Sequence, residues 1–460
     1  MNLYLEVENF YKEFPGIFLL GLNSVSKKNK IYISHRHFIQ DYALKGLISP
    51  GIVHLKDVNA LDDNRNIIKR LHSKGFNFTA QDVEPGMTIE DYERFSTTRM
   101  IDGKTFEFIE FYFTWGQRDY DILKNKYSNF NTEFILSGSP KIDFLKSIKI
   151  DDRQKKIFKD KLGIKKKIIL FPTSIGFPIG IRRMADWIHS WKKGKSLKEK
   201  LKIEEDFFSG FKESTENLQQ LINLIRYLES DLDGYEIIIK SHPDEKIEDW
   251  KKLIDIKSDK IHYIDNISVQ ELMIYSDIII QNGSSIVFDA LILNKPIITY
   301  EPIEFTNSYN KDFPNSFGKK FKDKEAVKKY IKSEKFEFLA NKESIAQLKN
   351  RLKNFVDENN SLSHINDAWN KILKQKKNNS KDYFKTDSFI LWKKLKKLIK
   401  KYLNYFVKLD KDEGILDRKF PNINIEYVNR LHEILCIKNP QYKSIKIKKI
   451  DDKILELKVK

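Results

Sequence analysis

The sequence is poor in cysteine and has no long apolar run. Its 460 residues include one cysteine, Cys436, which excludes an internal disulfide and a zinc site built from several thiolates. No apolar stretch approaches the roughly 18 residues of a membrane-spanning helix. Residues 1–7 also lack the basic and apolar regions of a signal peptide. These absences predict a cytoplasmic protein with Cys436 inert in its core.

The composition is that of a globular chain with excess positive charge. Hydrophobic residues make up 40% and charged residues 32%, which suits two or three domains of about 150 residues each. The net charge of +18 fits an anionic partner such as a nucleotide, a lipid surface or a nucleic acid. It equally fits a general lysine bias, because the lysines are spread among many acids. A compact basic and aromatic reader of nucleic acid is missing, so we expect no nucleic acid partner.

Strand-like and helix-like segments alternate along the first 300 residues. This alternation predicts an α/β fold with two doubly wound, Rossmann-like domains facing a cleft, followed by C-terminal helices. We place an N-terminal, acceptor-side domain at 1–146, a charged connector at 147–166 and a nucleotide-binding domain at 167–380, with a helical insertion at 181–224. A C-terminal extension at 381–460 contains short strands and a helix.

The most informative stretch is 276–301, SDIIIQNGSSIVFDALILNKPIITYE. An apolar, β-branched run is broken by Asn282 and Gly283, and hydroxyls from Ser284 and Ser285 follow where a helix begins. The N–H groups of a first helical turn favour an anion, and phosphate fits best. Helix capping is the alternative use of the two hydroxyls, and both uses share one geometry.

A second polar turn lies upstream, after the strand-like run YEIIIK at 235–240. Pro243 stops this strand and disfavours helix at His242, which leaves the imidazole at the end of the strand. If both strands belong to one sheet, His242 and the two serines open on the same edge. Together they predict a phosphate or pyrophosphate site.

Three acids follow strands of the first domain. Asp82 and Glu84 lie in QDVEPG at 81–86, and Asp143 lies in the turn SGSPKID at 137–143. Each acid alone suits a loop or a helix cap. Their common position at the carboxyl ends of strands makes them candidates for chemistry as well.

Five motifs in order resemble one family: QDVEPG, FYFTWGQRDYDILKNKY, ILSGSPKIDFL, IIIKSHPDE and the stretch SDIIIQNGSSIVFDALILNKPIITYEP. They are similar to those of the bacterial surface carbohydrate (polysaccharide) biosynthesis proteins. That family has a GT-B fold and is similar to the retaining transferases of Kdo, which use a CMP-linked donor. The HP and Ser-Ser turns also resemble those of the teichoic-acid glycerophosphotransferases.

The resemblance implies a role for each matching residue. It places the nucleotide phosphate against His242, Pro243, Gly283, Ser284 and Ser285. It makes Asp289, where relatives usually have glutamate, a candidate for the ribose hydroxyls. Of the acids Asp82, Glu84 and Asp143, one would attack the anomeric carbon and another would act as base on the acceptor, while His242 would donate to the leaving phosphate. No metal or other cofactor is implied.

Three interpretations follow. The first is a metal-independent glycosyltransferase that moves a Kdo-like sugar from a CMP-activated donor to a glycan or lipid-linked glycan. The second is a CDP-glycerol glycerophosphotransferase of teichoic-acid type. The third, of another class, is a noncatalytic basic protein that binds membrane or nucleic acid.

Residues 389–409, FILWKKLKKLIKKYLNYFVKL, form a basic amphipathic pattern. Apolar residues recur at helical spacing, and lysines fill the other faces. The pattern suits a helix lying on the anionic inner face of the cytoplasmic membrane. A core helix with a solvated lysine face is the alternative.

Overall fold

The computed structural model describes residues 2–58, 62–87, 89, 92–99, 103–149, 151–173, 192, 196–242, 245–304, 312–337, 340–355, 361–375, 388, 391–392 and 419–460. The chain divides into two compact units, residues 1–149 with 346–460, and residues 150–345. The second domain was expected to run to residue 380, whereas the chain from residue 346 onward groups with the first unit. The predicted connector contains a helix, Asp152–Leu162.

The described strands are, in chain order, β1 (Asn2–Val7), β2 (Lys30–His35), β3 (Gly51–Leu55), β4 (Asn77–Gln81), β5 (Phe111–Thr114), β6 (Glu133–Leu136), β7 (Lys167–Pro172), β8 (Tyr235–Lys240), β9 (Ile261–Tyr263), β10 (Ile278–Gln281), β11 (Ile297–Tyr300), β12 (Lys319–Phe321), β13 (Ile445–Asp451) and β14 (Ile454–Val459). The described α-helices are α1 (Phe10–Ser24), α2 (Arg36–Leu44), α3 (Asp62–Ser73), α4 (Tyr92–Arg99), α5 (Gln117–Lys126), α6 (Pro140–Ser147), α7 (Asp152–Leu162), α8 (Leu197–Asp231), α9 (Ile247–Ile254), α10 (Val269–Tyr275), α11 (Ile286–Ile292), α12 (Asp312–Asn315), α13 (Lys324–Ser333), α14 (Lys342–Arg351), α15 (Ser361–Gln375) and α16 (Ile425–Lys438). Short 3-10 turns lie at Lys104–Phe108, Lys353–Phe355 and Pro440–Ser444.

The first unit contains an eight-stranded sheet in the order β13-β14-β2-β1-β3-β4-β5-β6. The six strands β1 to β6 pair in parallel. These strands carry apolar residues on both faces because helices cover both faces of such sheets. Tyr4 stacks on Tyr32 in the core, with ring centroids 5.6 Å apart.

The second unit contains a six-stranded parallel sheet in the order β12-β11-β10-β7-β8-β9. Read from the β9 edge and counted along the chain, the strands run third, second, first, fourth, fifth and sixth across the sheet. This is the doubly wound order, in which the chain leaves β7 in one direction and later returns on its other side at β10. The fold class predicted from the sequence, with two doubly wound α/β sheets, is therefore confirmed.

The C-terminal extension completes the first sheet. Strand β14 pairs antiparallel with β2, and Leu455 and Leu457 on it are fully buried. Helix α16 packs Tyr427 against Phe10 and Phe14 of α1. The predicted helix and short strands after residue 410 are thus confirmed.

The basic pattern at 389–409 lies outside the described residues apart from 391 and 392. In the described part of the chain, no helix has both the length and the apolar character to cross a membrane.

We expect Leu457→Ala to destabilise the first unit by about 2–5 kcal/mol, because it opens a cavity between β14 and the helices that cover it. Urea unfolding followed by circular dichroism measures the change. Ile437→Ala removes an apolar side chain that is 53% exposed and should change the free energy of unfolding by less than about 0.5 kcal/mol. Equal effects of the two variants would contradict the integration of β14 into the sheet.

Candidate functional site

Two polar loops leave the same edge of the second sheet. His242 follows β8, and Gly283, Ser284 and Ser285 follow β10. The two strands are parallel but not adjacent, because β7 pairs with both of them. Their axes therefore lie about 10 Å apart, twice the spacing of neighbouring strands. The edge between β7 and β10 is the topological switch point, where open α/β sheets bind ligands.

The loop that carries His242 is held by a partly buried carboxylate. The backbone N–H of His242 donates to Thr173 Oγ1 at 3.1 Å and to Glu245 Oε2 at 3.4 Å. The same Glu245 oxygen accepts from Trp250 Nε1 at 2.9 Å and from the Thr173 hydroxyl. Three segments of the chain therefore meet at the Glu245 carboxylate, and these hydrogen bonds fix the backbone position of His242.

Lys240 is the last residue of β8, directly before this loop. Lys240 Nζ donates to the Asp265 carbonyl oxygen at 2.6 Å, and burial lowers the pKa of Lys240 to about 8. Pro243, predicted to line the site, lies outside the described residues.

The loop after β10 is held by two side-chain amides. Gly283 has φ 70°, a left-handed conformation that glycine adopts without steric cost. Its N–H donates to Asn315 Oδ1 at 2.6 Å, and the Ser284 N–H donates to Gln281 Oε1 at 3.0 Å. Gln281 Nε2 in turn donates to Asn315 Oδ1 at 3.3 Å and to Thr299 Oγ1 at 2.8 Å. This network fixes the conformation of residues 281–284.

The two serines differ in their use. Ser284 Oγ accepts a long hydrogen bond from the Ile286 N–H at 3.4 Å. The Ser285 side chain is exposed and makes no capping hydrogen bond to helix α11. The capping alternative therefore describes Ser284 only. The contact of the exposed Ser285 hydroxyl with a ligand stays a prediction.

Asp289 lies one turn further along α11. It is 2% exposed, and its Oδ2 accepts from Gln270 Nε2 at 3.3 Å. The structure therefore places this carboxylate inside the unit. Its contact with ribose hydroxyls stays a prediction.

A small cavity lies beneath the switch point, and its polar lining includes Thr173, Asn217 and Asn282. Asn282 Nδ2 donates to Asn217 Oδ1 at 3.1 Å and to the Tyr300 carbonyl oxygen at 2.5 Å. Asn217 belongs to α8, so this long helix is tied directly to the loop.

Sequence reasoning missed four supporting residues: Thr173, Glu245, Asn217 and Asn315. Thr173 and Glu245 carry weak local signals, since one directly follows a strand and the other directly follows the HPD turn. Asn217 and Asn315 carry none, because only the tertiary fold brings them to residues 282 and 283.

In the first unit, Asp82 and Glu84 follow β4. Asp82 is 3% exposed, and its Oδ1 accepts from the Glu84 N–H at 2.9 Å. The Glu84 side chain is 52% exposed and pairs with Lys12 Nζ at 2.5 Å. Arg118 and Arg351 donate to carbonyl oxygens of Gly86 and Met87. The loop is therefore rigidly anchored, with Glu84 as its accessible acid.

Asp143 serves a structural contact. Its Oδ1 accepts from Asn354 Nδ2 at 2.8 Å, and its Oδ2 accepts from the N–H and hydroxyl of Ser361 at 2.6 Å each. Burial raises the pKa of the Asp143 carboxyl despite these donors. Asp143 thereby joins α6 to the start of α15. Among the described residues, no group of three or more His, Cys, Asp and Glu side chains could hold a metal ion.

The second unit thus has the layout of a nucleotide-binding α/β domain, with polar loops at its switch point. The family model for CDP-Glycerol:Poly(glycerophosphate) glycerophosphotransferase matches residues 86–365, more than half of the chain. The chain belongs to this family. This finding supports the second interpretation, and it does not support the Kdo and CMP specificity expected first.

The individual proteins that match this chain share low sequence identity with it. A teichoic acid poly(glycerol phosphate) polymerase from Bacillus spizizenii is 26% identical over 271 residues, which cover 56% of this chain and 57% of the relative. The match thus spans little more than half of that polymerase. Similar solved structures include the wall teichoic acid polymerase TagF, H548A, with a TM-score of 0.49, 15% identity and coverage of 81% of this chain and 89% of that one. The S. aureus MnaA complex with UDP has a TM-score of 0.45, 14% identity and coverage of 81% and 96%.

We expect Asn315→Leu to release the Gly283 N–H from its acceptor. Loss of one hydrogen bond of about 1–1.5 kcal/mol should speed local exchange of that amide about tenfold, as measured by hydrogen exchange and mass spectrometry. Asn315→Asp keeps an acceptor oxygen and should preserve protection. Unchanged exchange in Asn315→Leu would show that the amide does not hold the loop.

We expect Asp143→Ala to destabilise the protein by about 1–3 kcal/mol for each buried donor left without a partner. Glu84→Gln should stay within about 1 kcal/mol of the parent, because an exposed ion pair contributes little. Urea midpoints compare the two variants. A larger loss of stability in Glu84→Gln than in Asp143→Ala would contradict the structural role given to Asp143 and the accessible position given to Glu84.

Proposed function

We propose that the protein transfers a polyol phosphate, such as glycerol phosphate, from a CDP-activated donor to a hydroxyl of a cell-surface glycan or polymer, with release of CMP. The observation that carries the proposal is the placement of His242 and Gly283–Ser285 on one edge of one sheet, on either side of the switch point. Both loops lie in the segment matched by the glycerophosphotransferase family.

The separation of the loops favours a diphosphate. Strand axes about 10 Å apart suit a guest with phosphoryl oxygens at both ends. His242 would contact one phosphate, and the hydroxyls of Ser284 and Ser285 would contact the other, because the N–H groups of Gly283 and Ser284 already donate to Asn315 and Gln281. Since Gln281 and Asn315 already fix the second loop, its donors need little reorganisation when charge develops in the transition state.

The proposed reaction is a displacement at phosphorus. The acceptor oxygen bonds to the phosphorus that carries the polyol, and the bond from that phosphorus to the bridging oxygen breaks. The electron pair stays on the bridging oxygen, which leaves with CMP. His242 stabilises or protonates this oxygen, because an imidazole offers an N–H donor in both its neutral and its cationic state.

The acceptor hydroxyl must lose a proton during this step. Among the acids predicted from the sequence, Asp82, Glu84 and Asp143, Glu84 has the accessible carboxylate, and its role as the base stays a prediction. The covalent sugar intermediate expected for a retaining sugar transferase is not needed for transfer of a polyol phosphate.

A thermal-shift panel with CDP-glycerol, CMP, CDP, UDP and ADP tests the donor. We expect cytidine nucleotides to raise Tm, by an amount equivalent to about 2.7 kcal/mol at a concentration 100-fold above Kd. His242→Ala and Ser285→Ala should each weaken binding about tenfold or more, since each removes a hydrogen bond to a charged group.

Two controls accompany the panel. Ser333→Ala changes a serine at the end of α13 in the same unit and should retain the shift, as should Glu84→Gln. Release of CMP from CDP-glycerol with an acceptor, compared with turnover of a CMP-linked sugar, separates the two donor classes. Equal stabilisation of the parent and both site variants, or turnover of the CMP-linked sugar alone, would reject the proposal.

A further inference from the structure

Three segments rich in lysine meet at one corner of the first unit. They are residues 22–33, 434–447 and 457–460, and none contains an aspartate or glutamate. We call their lysines the basic corner: Lys27, Lys28, Lys30, Lys438, Lys443, Lys446, Lys458 and Lys460. Contacts between the segments hold it together, since Tyr442 Oη donates to Asn23 Oδ1 at 3.4 Å and Lys460 Nζ donates to the Lys443 carbonyl oxygen at 2.6 Å.

The centre of the basic corner is a row of like charges across three strands. In the β13–β14 hairpin, Lys446 lies directly opposite Lys458. Strand β14 then pairs with β2 up to Leu457 opposite Ile31, so the next position in this register sets Lys458 opposite Lys30. Directly opposed side chains lie on one face with Cβ atoms about 5 Å apart, and like charges there are destabilising.

The β13–β14 hairpin has no such like-charge repulsion at the next cross-strand pair on the same face. Lys448 lies opposite Glu456, a pairing of opposite charges on the same face two residues away. The like-charge row is therefore not a general property of these strands. Lys446 is exposed, while Lys30 and Lys458 are partly exposed, so an external anion can reach the row.

The basic corner is separate from the carboxyl edge of the first sheet. It lies at the amino end of β2, and six residues of that strand span about 20 Å. Asp82 and Glu84 follow the carboxyl end of β4, which runs parallel to β2 in the same sheet. The basic corner therefore lies apart from these two acids.

We propose that the basic corner binds the phosphodiester backbone of a polyanionic acceptor chain, away from its reacting hydroxyl. This inference rests on the proposed function, because repeated transfer of polyol phosphate makes a chain with one negative charge per unit. Lysine ammoniums act as point-charge donors and suit a repeating phosphate without a specific sequence. Attachment at the corner raises the effective concentration of the chain end for the next transfer.

An anionic lipid surface is the competing partner for such charge. One large hydrophobic side chain, Ile437, is exposed among the described residues of these segments. A single apolar side chain gives no continuous face for insertion into a bilayer. The linear row of lysines therefore favours a linear polyanion.

Binding of deacylated poly(glycerol phosphate) to the full chain, measured by calorimetry at low salt, tests the inference. The variant Lys30→Glu/Lys446→Glu/Lys458→Glu should bind at least about tenfold more weakly, and its affinity should depend less steeply on salt. The matched variant Lys198→Glu/Lys200→Glu/Lys202→Glu makes the same charge change at the start of α8 and should lose less than about twofold. Equal losses in the two variants would overturn the inference.

A purely structural role for the row and a membrane-binding role lead to different results. Lys446→Gln should leave Tm unchanged or raise it without polymer, because it relieves repulsion, whereas a structural lysine would lower Tm.

Vesicles of phosphatidylglycerol that bind through the same three lysines, with polymer binding unaffected, would overturn the inference in favour of a membrane surface. His242→Ala should bind polymer normally. Polymer binding that depends on the row, without turnover of CDP-glycerol by the parent, would reject the proposed function alone.

Discussion

Parallel pairing of β7 with β8 on one side and β10 on the other is the constraint on which the candidate site depends. Because all three strands run in one direction, their carboxyl ends coincide, and two loops separated by more than 40 residues along the chain reach the same edge. The doubly wound order then leaves a crevice at this position. Without that pairing, His242 and the two serines would be unrelated loop residues.

Support for the two loops comes from groups that lie behind them. Glu245 gathers three donors under the His242 loop, and Asn315 holds Gly283 from behind. Such satisfied polar networks restrict a loop to one conformation. The accessible groups, including the Ser285 hydroxyl, can then be small and few. The residues that determine the specificity of this sheet edge therefore lie mostly behind the two loops.

The sequence predicted the strands well because parallel strands leave a strong trace, namely short β-branched runs ended by polar turns. It also placed His242, Ser284 and Ser285 on one edge. It could not separate the roles of the three acids, since burial of Asp143 arises from Asn354 and Ser361, more than 200 residues away. The domain boundary near residue 346 was missed for the same reason, because only tertiary contacts assign the later chain to the first unit.

The return of the C-terminal chain to β2 has a consequence for biosynthesis. The second unit is one continuous segment, so it can fold as soon as it leaves the ribosome. The first unit is interrupted, and its sheet keeps an open edge at β2 until β14 has been translated. During that interval the nascent chain exposes the unpaired edge of an apolar strand, a known template for misassociation. Chaperone dependence and sensitivity to C-terminal truncation should therefore be concentrated in the half of the molecule that is translated first.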